Sequence, residues 1–230
     1  MTNRQEDILN AVDRSIEALI NDFQQGPTRF FTENDLVCCF HRLLHNSLDA
    51  LDLPPVLDID DLPHSLIHCE YATVFRCNMK GKGFTRMLDT DLTDNNGKFR
   101  RGHHDIVVLN PTFVRKHTFT AVKGQTYALM RDVLPKLTEQ EPAFLYGIEL
   151  VYRRDPIKPS KGGDRDAAAK RFVTEVKQDA DKLKYSVESK HVMKKARMLA
   201  FLKGTTDDKV LDFIRSSLKS EPHVMLLTTQ

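Results

Sequence analysis

HDIVVLNP, His104 to Pro111, is a short apolar run with a charged entrance and an Asn-Pro exit, the pattern of a strand buried in the middle of a sheet. A second run of this kind, AFLYGIELVY, spans Ala143 to Tyr152. Each holds one carboxylate. Asp105 stands at the entrance of the first strand, and Glu149 lies inside the second, flanked by Ile148, Leu150 and Val151. A lone carboxylate in an apolar strand is costly to bury unless it is paired or binds a cation. Singly, each acid reads more simply as a solvent-facing residue at a strand end, or as the partner of an arginine such as Arg101 or Arg153. On neighbouring strands, the two can converge on one hard divalent ion, for which oxygen ligands and retained waters are suited.

The rest of the chain frames these strands. Ile8, Leu9, Val12, Ile16, Leu19, Ile20 and Phe23 recur at helical spacing and predict an amphipathic helix that ends at Gly26-Pro27. A second helix begins at the N-cap Thr32, with Asp35 as a short capping-box acid, and runs through Leu36, Val37, Phe40, Leu43, Leu44 and Leu48. LIHCEYATVFRCNM, Leu66 to Met79, predicts a strand, and a polar hairpin-like stretch with Asn95, Asn96 and Gly97 comes later. Gln125 to Leu134 suggests a helix that Pro135 stops or kinks. A long helix covers about Arg165 to Tyr185, with Phe172, Val173, Val176, Ala180 and Leu183 on one face. Strand, helix and strand close the chain at Ala196–Leu202, Lys209–Leu218 and Val224–Thr228. The expectation is one domain over residues 1–230, with 1–26 as a helical extension and 32–230 as the core: an α/β fold whose mixed central sheet is flanked by helices.

Composition is that of a globular chain, with 40% hydrophobic and 29% charged residues and a formal net charge of +2. Basic character is local, in the Lys-, Arg- and Gly-rich segment from Arg153 to Arg171. By itself this reads as a solvated loop, although it is placed to touch phosphates. Cys38, Cys39, Cys69 and Cys77 lack CxxC spacing, which fits a reduced, cytoplasmic setting. The polar start, MTNRQEDILNAVDRS, lacks the apolar core of a signal peptide, and no stretch approaches the length of a membrane span.

Other candidate motifs are weaker. His103 and His104 point to opposite faces of a strand and do not share one ion, so His104 reads as a surface residue at the strand entrance. His64, His68 and Cys69 are too loosely spaced for a zinc site. Lys80-Gly81-Lys82-Gly83 lacks P-loop spacing and reads as a turn, and no G-x-S-x-G supports acyl transfer.

RRGHHDIVVLNP followed by YGIELVYRR resembles the two catalytic strands of PD-(D/E)XK nuclease-like proteins, in which an acid enters one strand and an E-x-K element lies on the next. KQDADKL, Lys177 to Leu183, is similar to the D-x-x-K-L ending that follows this strand in members of the superfamily. The resemblance covers about Thr32 to Thr228 and implies a restriction-endonuclease-like mixed sheet. It implies Asp105 and Glu149 as catalytic metal ligands, with the backbone carbonyl of Leu150, and Glu33 (or Asp35) and Glu70 as further acids.

One position departs from the pattern, because Val151 stands where the E-x-K lysine belongs. Valine cannot help position or activate a water. A relocated cation is then needed, with Lys177, Lys182, Lys80 and Lys82 as candidates. The implied activity is Mg2+- or Mn2+-dependent hydrolysis of phosphodiester bonds in nucleic acid, DNA ahead of RNA, with no membrane partner and a homodimer as an allowed assembly. The alternative is a catalytically inactive nuclease-fold module that binds nucleic acid or protein.

Overall fold

The computed structural model describes residues 2–78, 85–87, 100–123, 133, 136–157, 167–188, 192–204 and 207–229. The helix expected over 125–134, the polar stretch at 95–97, Lys80, Lys82 and residues 158–166 of the basic segment lie wholly or largely outside these residues.

Helix α1 (Thr2–Gln25) buries Ile8, Val12, Ile16, Leu19 and Phe23 along one face. It ends where Pro27, which has no N–H to donate, follows Gly26. Helix α2 (Glu33–Asp49) is set by a capping box. Thr32 Oγ1 accepts the Asp35 N–H, and the Asp35 carboxylate accepts the N–H groups of Phe31 and Thr32. This leaves Glu33, in the same first turn, free to reach elsewhere.

Short strands β1 (Val56–Leu57) and β2 (Pro63–His64) pair in the acidic loop that follows. The main sheet contains β3 (Ile67–Asn78), β4 (Thr85–Met87), β5 (Arg100–Leu109), β6 (Phe144–Arg153), β7 (Met193–Leu202) and β8 (Val224–Thr228), in the spatial order β4-β3-β5-β6-β7-β8. Strands β3, β5 and β6 pair antiparallel, whereas β6, β7 and β8 run parallel. Parallel neighbours need crossover connections, which are supplied by α5 (Ala167–Glu188) and α6 (Asp208–Leu218). Two short helices, α3 (Pro111–Lys116) and α4 (Phe119–Val122), follow β5.

The sheet is covered on both faces. Tyr146 Oη bonds Asp13 of α1, while a side chain at the adjacent Gly147 would run into Met193 and Leu183 on the α5 side. The absent Gly147 side chain leaves that space to the Met193 side chain, two residues from Glu149. Buried residues from α1 through β8 form one cluster, so burial of a continuous apolar core holds the layers together. Among the described residues no helix is long and apolar enough to cross a membrane.

Candidate functional site

The site arises where two central strands part. The β5–β6 ladder joins Ile106–Leu109 to Phe144–Ile148 and stops there. Strand β5 keeps its pairing to β3 past this point, at His104 and His103 and on to Arg100, and β6 keeps its pairing to β7 through Arg153. Beyond Ile148, the edge of β6 that faced β5 has lost its backbone partner, and such orphan N–H groups must be satisfied. Carboxylates do this. Asp105 Oδ2 accepts the Leu150 N–H at 2.6 Å, and Glu33 Oε2 accepts the Tyr152 N–H at 3.2 Å. The Glu149 carboxylate in turn takes the Asp105 N–H. A residue's N–H and C=O share one strand edge, so the Leu150 carbonyl lies on this vacated edge too.

From the α5 side comes a lysine. Glu175, Asp179, Lys182 and Ser186 are spaced to share one face of α5. Lys182 Nζ lies 2.9 Å from Glu149 Oε2 and 3.1 Å from Asp179 Oδ1, and it donates to the His103 carbonyl at 2.7 Å. Only 6% of the Lys182 side chain is exposed. His104 Nδ1 meets Glu149 Oε1 at 2.7 Å, and its Nε2 faces the Ser186 hydroxyl at 3.2 Å. His104 is completely buried, which corrects the expectation of a surface histidine. Burial, and next the Lys182 charge, hold His104 down at about 3, so it is a neutral donor.

Ser186, His104 and Glu149 are spaced like a nucleophile, base and orienting acid. All three are sealed from solvent, and the Ser186 hydroxyl also contacts the Lys182 carbonyl of its own helix. No substrate reaches that hydroxyl, and the trio instead fixes Glu149.

Electrostatics divide the acids. Burial raises Glu149 to about 8, against the pull of Lys182. Burial lowers Lys182, yet Glu149 and Asp179 more than restore it and hold it above its ordinary value. With a donor on each Glu149 oxygen, the ion pair is the state that the geometry satisfies. Among the described residues, no such cation is bonded to Asp105. Burial and then the neighbouring Glu149 push it up to about 8. Glu33 is raised to about 7 by burial and by Asp105, and Glu175 is raised by burial and Asp179 against the pull of Arg153.

The structure thus brings Asp105, Glu149, Leu150, Glu33 and Lys182 together and chooses Glu33 over Asp35. It does not bring in Lys177, which faces Asp181 on another side of α5, because five residues along a helix is out of phase with Lys182. Glu70 makes no bond to this cluster among the described residues: it is exposed and lines the adjoining cleft. Asp179, Glu175 and Ser186 are not among the sequence candidates, although Asp179 is the first residue of the D-x-x-K-L segment. Among the described residues, no three His, Cys, Asp or Glu side chains form a ready-made metal cage. The donor set is nevertheless compatible with magnesium, since that ion keeps several waters and takes one or two carboxylates; Asp105 and the Leu150 carbonyl, with Glu149, are the groups that would hold such an ion. Neither protein-family models, nor curated proteins, nor solved structures gave a match to this chain.

Proposed function

We propose that the chain is a divalent-metal-dependent nuclease with a restriction-endonuclease-like core, in which the lysine missing at position 151 is supplied from α5. One observation carries this reading: the Lys182 ammonium lies 2.9 Å from Glu149, the acid that matches the E-x-K glutamate. The neighbouring acid strand, the acid-bearing helix before the sheet and the D-x-x-K-L segment, Asp179 to Leu183, agree with it.

Asp105, Glu149 and the Leu150 carbonyl hold the ion in this reading, and a bound Mg2+ or Mn2+ supplies Lewis-acid polarisation of the phosphate and an acidified water. Lys182 balances the charge of Glu149, and the neutral His104 fixes the carboxylate from its other oxygen. Glu33 titrates near neutrality, which suits a group that takes up or gives a proton beside the phosphate. Lys182 has three N–H donors, and Glu149, Asp179 and the His103 carbonyl occupy all three. Exchange of Asp179, the more exposed of its two acid partners, frees a donor for the attacked phosphate. The same saturation favours a second reading, an inactive nuclease-fold module that binds nucleic acid without cutting it.

The test is cleavage of single-stranded, duplex and branched DNA and RNA with Mn2+, using Glu149→Ala as the negative control. Asp105→Asn keeps an acceptor for the Leu150 N–H and is expected to lower the rate about 100- to 1000-fold, in the range for loss of one charge-stabilising group. It also removes the Mn2+-dependent rise in Tm. Equal cleavage by wild type and Asp105→Asn sinks the nuclease; absence of cleavage with intact oligonucleotide binding selects the inactive module.

A further inference from the structure

A cleft of about 550 Å³ opens next to the acid site and is lined by His64, His68, Glu70, His103, Phe119 and Lys123. The size is within the usual range for small-ligand pockets, about 300–1,000 Å³. His103 joins the two places: its carbonyl holds the Lys182 amine, and its side chain lines the cleft. Glu70 marks the shared border as well, since the pairs Cys69↔Ile106 and Tyr71↔His104 bracket it opposite Asp105.

The chemistry of the wall is specific. Phe119 is 44% exposed, although apolar rings of that size are ordinarily covered. Its ring has His64 at 5.5 Å between centroids and the Lys123 ammonium 5.5 Å from its centre. The helix that carries it is tied down, because Tyr71 of β3 donates its hydroxyl to the Val122 carbonyl. His64 is fixed by Asp58 at 2.9 Å, and Asp58 is itself held by the N–H groups of Asp60 and Leu62. Glu70 adopts φ +51° within a strand, a conformation costly for a bulky residue and one that gathers at ligand sites. A rigid exposed ring with an ammonium and imidazoles around it, and one carboxylate able to accept from an exocyclic amine, is the chemistry that recognises a nucleotide.

We infer that this cleft is a subsite for one unpaired nucleotide of the substrate strand, its base stacked on Phe119 and its phosphate directed to Lys123 and His103. The inference rests on the nuclease reading for its choice of ligand, and it deepens that reading by naming a single-stranded or splayed substrate. A base inside a duplex presents only its edges and cannot cover the ring.

The experiment measures binding of a fluorescent single-stranded DNA 12-mer and of the matching duplex, without divalent metal, by anisotropy at fixed low salt. Phe119→Ala is expected to weaken single-strand binding about 5- to 100-fold, the range for loss of one base–aromatic stack, with Phe119→Tyr restoring it and Lys123→Gln weakening it separately. Duplex binding stays within twofold. Far-UV circular dichroism and Tm accompany each variant, and Lys123→Gln, an exposed change, carries the test if Phe119→Ala loses its fold. Unchanged single-strand binding in folded variants overturns the subsite, as does an equal loss on duplex. Failure of the two proposals is separable. Binding that depends on Phe119 in a chain that cuts nothing keeps the subsite and removes the nuclease; cutting that needs Asp105 but is indifferent to Phe119 and Lys123 does the reverse.

Discussion

Between Ile106 and Leu109 strand β5 is hydrogen-bonded to β6 through the backbone, and every one of its side chains there is apolar and fully buried. One residue earlier, at Asp105, the strands are apart, and the gap holds carboxylates, a lysine and a histidine. The two halves of this strand pair obey the same rule of satisfying backbone polar groups, by different means. In the first half the backbone satisfies itself and the side chains need only fill space. In the second, side-chain oxygens stand in for the missing strand, and each brings charge that something must balance. The polar half is therefore where stability depends on pH, on a cation and on single partners, and the apolar half depends on volume alone.

Breaking the Lys182 contact should separate the halves most. Lys182→Met leaves Glu149 buried without its cation, and the expected loss is about 3–5 kcal/mol at pH 7.5 by urea denaturation. Adding Glu149→Gln removes the unpaired charge, so the double variant is expected to be less destabilised than the sum of the singles. Additive losses would mean that the pair is not coupled as its 2.9 Å contact requires.

A second test uses pH. Asp105, with its carboxyl raised to about 8, holds a proton in the folded metal-free chain that the unfolded chain releases, so stability falls as pH rises towards that value. His104 has the opposite sign: depressed to about 3, it contributes stability that is lost as pH falls below the ordinary histidine range. The window above pH ~6.5 belongs to the acids. From pH ~6.5 to ~8 the metal-free protein should lose about 2 kcal/mol through Asp105. Mn2+ should reduce the slope, and Asp105→Asn should cut it in calorimetric scans without metal to the part that Glu33 contributes. A flat wild-type profile would show that Asp105 is ionised throughout.

The smallest effect sharpens the apolar side. Ile106→Val removes one methylene from the ladder half and should cost about 1 kcal/mol, with neither the pH slope nor the Mn2+ response altered. Any change in the Mn2+ response would mean that the two halves are mechanically coupled.

The same contrast governs what could be read from sequence. The apolar half is legible, since HDIVVLNP and AFLYGIELVY carry their burial in composition; β6 lies where its run predicts, whereas β5 begins at Arg100, ahead of the predicted entrance at His104. Asp105 and Glu149 were legible as anomalies within them. The parting of the strands was not, because it is set by pairing between segments distant in sequence. His104 was misjudged for this reason. An entrance position reads as exposed, but α5 and its Ser186 close over it. Lys182 stands among the sequence candidates without being chosen over Lys177, because the choice depends on how α5 is turned against β6, a contact between segments distant in sequence.

The span of the acid site along the chain has one more consequence. Glu33 enters through α2 and Lys182 through α5, so 182 − 33 = 149 residues of synthesis separate them. At about 5–20 residues per second, the growing chain waits roughly 7 to 30 s between its first acid and its lysine. Until α5 has left the ribosome and docked, Glu149 has no Lys182 to balance its charge.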